Sequence, residues 1–273
     1  MSIPNYKINI LQTTTIEACD WSFNVWHYKP GQKNLNVPCF SFLISGEGLP
    51  LTLVDTGVKE SMADEIMGRS GMKLVHYDGE DYKNQLSRLG YTLGDVKIIL
   101  HTHLHEDHAG NDDLFPNARI IFPRKELMWS VSDMFDNQYP PEYVKYFVDQ
   151  LHVPGKMRLI DDIMELAPGI TLEPIEGHTW GSMLIKVNTS KGLVIMCGDI
   201  IYNLEKQCLK NDLFASVNAQ RAAIVDSFGD HTSGNYWNIW KDKAAIQKVM
   251  READIVLPNH DAKILEWYGD CIE

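Results

Sequence analysis

The apolar positions of this chain come in short runs, and most runs stop at a polar turn. Residues 6–13 and 40–44 are rich in β-favouring side chains, and 51–54 form a third run. Ser45-Gly46-Glu47-Gly48 separates the second from the third, which predicts a hairpin. The third run ends in Asp55-Thr56-Gly57. Residues 81–89 read as a helix closed by Gly90, and 96–100 as a buried strand. A short strand follows at 118–122, then helix and loop over 125–147, broken by Pro140-Pro141. Strands return at 170–175, 183–187 and 193–197, followed by a helix at 240–252 and a last strand at 255–257. The chain is therefore mixed α/β, without the strict alternation of a Rossmann fold. Nothing in it divides the 273 residues, so residues 1–273 are expected to form one domain.

The turns carry the chemistry. The strand at 96–100 runs into His101-Thr102-His103-Leu104-His105-Glu106-Asp107-His108-Ala109-Gly110. Packing does not explain such a cluster, because each desolvated imidazole needs a partner. Histidine with carboxylate at short spacing is what a divalent metal requires. Three later strand ends add His178, Asp199 and His260. The set His103, His105, Asp107, His108, His178, Asp199 and His260 is too large for one tetrahedral zinc, and suits two metals sharing a bridging carboxylate. His27, His76, His101, His152 and His231 have no ligand-like context and read as ordinary. Glu106 is expected to point away from the metals. Asp55 reads either as a buttress for the ligand loops or as a turn-former, and Cys197 as a core residue.

Composition narrows the class further. At 44% hydrophobic and 23% charged, the chain is ordinary globular protein. A net charge of −12 argues against a general nucleic-acid binder. No apolar run is long enough to span a bilayer, and the N-terminus lacks a signal-peptide pattern. Five scattered cysteines without a CxxC pair predict reduced thiols and a cytoplasmic location.

The His103-x-His105-x-Asp107-His108 pattern, with the three later ligands, resembles the metallo-β-lactamase superfamily. That resemblance implies a four-layer αββα sandwich, with His103, His105 and His178 on one metal, Asp107, His108 and His260 on the other, and Asp199 bridging. It implies two divalent ions, zinc first, with iron and manganese as alternatives. Within the superfamily the chain is most similar to N-acyl-homoserine lactone lactonases. The likeness lies in Arg88-Leu89-Gly90-Tyr91, in the run from His103 to Asn111, and in Ala167-Pro168-Gly169-Ile170 followed by Gly177-His178. Tyr202, three residues after Asp199, stands where those lactonases carry a tyrosine that contacts the substrate carbonyl.

The expected reaction is opening of a lactone ring by a metal-bridging hydroxide. Tyr202 would hold the oxyanion and Asp107 would carry the proton to the leaving alkoxide. The aromatic groups of residues 128–147, with Trp21, Phe23 and Trp26, have three readings: a substrate pocket, core, or a dimer interface. On the first, Trp26, Met128, Trp129 and Phe135 would contact substrate. A homodimer follows from family likeness only.

The chain departs from those lactonases at Ser182, where several relatives have a second histidine, and in a longer aromatic segment over 218–240. Rival hydrolases of lactams, imides, thioesters or phosphoesters would use the same metals. The acidic C-terminus weighs against a glutathione thioesterase, and an intact His105 against an iron-pair redox protein.

Overall fold

The computed structural model describes residues 4–18, 35–65, 73–75, 79–132, 138–205, 208 and 239–273. Trp21, Phe23, Trp26, His27, His76, Met134, Phe135, His231 and most of segment 218–240 lie outside the described residues.

The chain opens with β1 (Lys7–Ala18) and β2 (Leu35–Ser45), a long antiparallel pair. Then come β3 (Thr52–Val54), β4 (Lys73–Val75), α1 (Tyr82–Arg88), β5 (Ile98–Leu100) and β6 (Arg119–Pro123). Two helices follow, α2 (Arg124–Ser132) and α3 (Pro141–Leu151), and then β7 (Met157–Ile160). The second half holds β8 (Met164–Ala167), β9 (Ile170–Pro174), β10 (Met183–Thr189) and β11 (Gly192–Gly198). It closes with α4 (Ile239–Glu252), β12 (Ile255–Pro258), α5 (Lys263–Tyr268) and β13 (Cys271–Ile272). The hairpin predicted between residues 44 and 51 is present as antiparallel β2 and β3. Pro140-Pro141 begins α3, where proline's missing N–H is harmless.

Among the described residues, two sheets form. One runs β13-β1-β2-β3-β5-β6-β7, with β4 on β1, and the other runs β12-β11-β10-β9-β8. Their side chains explain the layering. Along β2, Phe40, Phe42 and Ile44 enter the core between the sheets, while Cys39 and Leu43 face the opposite side. Strands β3, β5 and β6 alternate likewise, Val54, Leu100 and Ile121 against Leu53, Ile99 and Ile120. A register shift between Gln12 and Thr14 lets β1 switch faces, Ile8 and Ile10 going inward and Ile16 outward.

The second sheet reads differently. Val194-Ile195-Met196-Cys197 and Ile255-Val256-Leu257 are continuous apolar runs, because both faces are covered. One face meets the first sheet, and Ala245, Ile246 and Val249 of α4 cover the other. Helices α1, α2 and α3 supply the outer cover of the first sheet through Leu86, Leu127, Tyr143 and Phe147. The result is the αββα order that the resemblance implied. Each such fully buried side chain contributes about 1.5–3 kcal/mol.

Register then positions the polar turns. Parallel β3 and β5 pair Val54 with Leu100, which sets Asp55 beside His101 and Thr102. Parallel β11 and β12 pair Gly198 with Pro258, which sets Asp199 beside Asn259 and His260. Met183 N–H donates to Thr102 O at 2.7 Å and ties the two sheets together at the strand ends. Gly198 sits where a Cβ would strike Thr102, with φ of 55°, so both space and backbone require glycine.

Candidate metal centre

All seven sequence-predicted donors converge on one buried point. His178 Nε2 lies 3.0 Å from His105 Nδ1. His103, His105 and His178 form one group whose donor atoms could share an ion. On the other side His260 Nε2 lies 3.3 Å from both His108 Nε2 and Asp107 Oδ2. Asp199 stands between the two halves. Its Oδ1 faces His108 and His260 at 3.1 and 3.2 Å, and its Oδ2 faces His178 and His103 at 3.6 and 3.9 Å. One carboxylate thus offers one oxygen to each half.

The imidazoles are aimed by what their far nitrogens do. Asp55, in the left-handed region at φ 57°, accepts from Thr102 N (2.9 Å), Thr102 Oγ1 (2.7 Å), His108 Nδ1 (3.0 Å) and Asn259 Nδ2 (2.9 Å). With Thr102 Oγ1 donating to Asp55, His103 Nδ1–H donates to that hydroxyl at 3.1 Å. His260 Nδ1–H donates to Pro38 O at 2.9 Å. In each case the Nε2 lone pair is left facing the centre, the arrangement that metal-binding histidines use. His103 Nε2 is buried with no hydrogen-bond partner. Five imidazoles and two carboxylates, one placed between the halves, fit a pair of divalent ions.

Charge follows the same geometry. Burial pushes the Asp199 carboxyl up, but His260 and His108 outweigh it and hold the group well below the carboxylate range. Burial would lower His108 and His260, yet Asp199, with Asp107, raises both well above the ordinary imidazole value. Burial and the neighbouring His108 and His105 lower His103. A cation at this centre would compete with protons for the same donor atoms.

The chain belongs to the metallo-beta-lactamase superfamily. Residues 35–246 match that superfamily, a span that takes in six of the seven donors. The chain is 33% identical over 179 residues to an N-acyl homoserine lactonase of Bacillus cereus, covering 63% of this chain and 67% of that one. It is 29% identical over 243 residues to an N-acyl homoserine lactonase of a Bacillus species, covering 85% and 84%. A solved structure of an N-acyl homoserine lactone hydrolase, with product N-hexanoyl-L-homoserine at its catalytic metal centre, shares the fold. Its TM-score is 0.70 at 22% identity, over 98% of this chain and 97% of that one. The dizinc quorum-quenching lactonase AidC overlays at 0.62 and 18% identity, over 98% and 90%.

Tyr202 is buried, donates to Asp199 Oδ2 at 2.5 Å, and stacks on His260 at 5.7 Å. Asp107 has a 15% exposed side chain, against 4% or less for His103, His108, His178, Asp199 and His260, so it is the more exposed of the two carboxylates. Met128 is 50% exposed, and Trp129 packs edge-on against Trp180 at 5.9 Å. Tyr139, Tyr143 and Phe147 are core, and the Tyr139 ring meets His105 at 4.7 Å. Ser182, the departure from the lactonases, closes the turn after His178 by accepting from Thr179 N at 2.9 Å.

Sequence reasoning missed two supports. Glu126 is fully buried on α2 and accepts from Leu104 N (2.9 Å), Tyr139 Oη (2.8 Å), Thr179 Oγ1 (2.6 Å) and Gly181 N (3.2 Å). It thereby ties the loop between His103 and His105 to the turn after His178. His101, expected to be ordinary, is fully buried, with Nε2 2.9 Å from Asp112 and Nδ1 3.5 Å from Asp55. Burial alone would lower its imidazole, but Asp112 and Asp55 raise it to about 9, so it sits as a cation behind Asp55.

Proposed function

We propose that the chain is a two-metal hydrolase that opens the ring of N-acyl-homoserine lactones. The observation that carries this reading is Asp199, set between two donor groups with the Tyr202 hydroxyl on one of its oxygens. Relatives named N-acyl homoserine lactonase at 29–33% identity supply the substrate class. His103, His105 and His178 would hold one ion, Asp107, His108 and His260 the other, and Asp199 both. Two divalent ions there would act as Lewis acids and make water a nucleophile at neutral pH, zinc being favoured by the imidazole-rich donor set.

The residues then divide the work. As the ester carbonyl carbon gains the water oxygen, negative charge builds on the carbonyl oxygen, and the Tyr202 O–H turns from Asp199 to donate to it. The ring C–O bond breaks, and Asp107, the most open of the carboxylates, delivers the water's proton to the departing alkoxide. The product is the N-acyl-homoserine. The Met128 thioether and Trp129, with Trp26 and Phe135, would receive the acyl chain. The four described cysteines are free thiols and support a reducing, cytoplasmic setting, and no helix among the described residues is long and apolar enough to cross a membrane. A homodimer belongs to the same reading.

The test is turnover by metal-loaded protein of homoserine lactones with graded acyl chains, beside a lactam and a thioester. Lactone turnover that falls by roughly 10²-fold or more in Asp107→Asn and Tyr202→Phe is expected. Turnover of the lactam or thioester alone would refute the substrate assignment.

A further inference from the structure

A sulfur atom adjoins the acidic half of the centre. Cys39 on β2 is buried, and its Sγ belongs with Asp107 and His260 to a group whose donor atoms all lie within 4.8 Å of one another. The backbone around it is clamped to the loop that carries His260. Pro38 O accepts from His260 Nδ1 at 2.9 Å, Phe40 N–H donates to Asn259 O at 2.9 Å, and Asn259 Nδ2 donates back to Phe40 O at 2.8 Å. Thiol and imidazole are therefore held in fixed register on either side of one peptide clamp. The same imidazole also meets the bridging carboxylate: His260 Nε2 lies 3.2 Å from Asp199 Oδ1 and 3.3 Å from Asp107 Oδ2.

We propose that Cys39 Sγ is a ligand of the ion held by Asp107, His108 and His260. The proposal rests on the two-metal reading above and adds a soft donor to one half of it. On binding, the thiol gives its proton to solvent and the sulfur bonds the ion. The two halves then differ in kind, one built of imidazole and carboxylate, the other carrying sulfur as well. Thiolate selects zinc over manganese and magnesium, so the half with Cys39 should discriminate against those hard ions more strongly than the other. Cys197, the other fully buried cysteine among the described residues, lies in the core between the sheets and in none of the donor groups.

Cobalt(II) loaded into the full-length protein tests this without reference to activity. A cobalt–thiolate bond produces a near-ultraviolet charge-transfer band that imidazole and carboxylate do not. The band should grow with one of two bound equivalents, vanish in Cys39→Ser and persist in Cys197→Ser. Cys39→Ser should also hold that ion more weakly, by at least the roughly 10–100-fold that loss of an outer partner costs. X-ray absorption of the zinc-loaded wild type, which needs no variant, should show a sulfur scatterer at about 2.3 Å. Two bound cobalt ions with no charge-transfer band, or a band unchanged in Cys39→Ser, would overturn the ligand assignment and leave the two-metal reading standing. Binding of fewer than two ions by the wild type would refute both.

Discussion

Replacing Glu126 by glutamine keeps the shape of the side chain and removes half of its accepting capacity. The carboxylate now takes four hydrogen bonds, from Leu104 N, Tyr139 Oη, Thr179 Oγ1 and Gly181 N. If the amide oxygen serves Leu104 and Tyr139, the amide NH2 must face Thr179 and Gly181. The Thr179 hydroxyl can turn towards Ser182 Oγ, 2.9 Å away, but the Gly181 N–H cannot turn and is orphaned. A buried orphaned donor costs about 1–3 kcal/mol, and loss of charge assistance on the bonds that remain adds to that. Removing the carboxylate's own burial penalty, which raises its pKa, offsets part of the loss. The net is about 2–4 kcal/mol of destabilisation. Because Glu126 joins the loop bearing His103 and His105 to the turn bearing His178, those three should lose aim together. Affinity for their ion should fall roughly 10–100-fold, with the other ion held as before. Urea unfolding of the metal-free protein and stepwise metal titration read the two effects separately. A Glu126→Gln protein within about 0.5 kcal/mol of wild type, with both affinities unchanged, would refute the role given to Glu126.

Three further outcomes are expected. Tyr202→Phe should keep both ions and lower kcat on a homoserine lactone by roughly 10²-fold, the scale for loss of one oxyanion donor, and unchanged kcat would remove Tyr202 from the reaction. Gly198→Ala should fail to fold or lose several kcal/mol, about 1–3 from overpacking against Thr102 and more from its positive φ; denaturant melts check this. Glu252, hydrogen-bonded by Lys186 at 2.5 Å and Lys248 at 2.7 Å, has its carboxyl depressed to about 2 from an ordinary 4.5. Its stabilising effect is complete above the ordinary value and is lost as pH falls from there through about 2, so acid titration of Glu252→Gln should be flatter than wild type over that window.

Where side chains repeat with a period, or where several chemical groups share a short stretch, the sequence was readable. The strand ends at Leu100, Cys197 and Leu257 are visible because the apolar runs stop at His101, Gly198-Asp199 and Pro258-Asn259. The supports were not. Glu126 follows Arg124 and Lys125 and looks like any exposed helix residue, and only the fold shows it buried among four donors. His101 reads as ordinary in the sequence because Asp112, its partner, lies eleven residues away on a turn of 3₁₀ helix. Cys39 and His260 are 221 positions apart, and no spacing rule connects them. Strands β4 and β13, three and two residues long, are too short to show a period, and β7 and β8 carry the mixed pattern of edges, so periodicity alone did not mark them.

We infer that two ions on these seven donors hydrolyse a homoserine lactone. Chelator-stripped protein titrated with zinc, assayed for hydrolysis of N-hexanoyl-homoserine lactone at each addition, tests it most directly. Activity should be absent in the stripped protein, rise to a plateau at two equivalents per chain, and stay flat beyond. Full activity at one equivalent, or in the stripped protein, would contradict it.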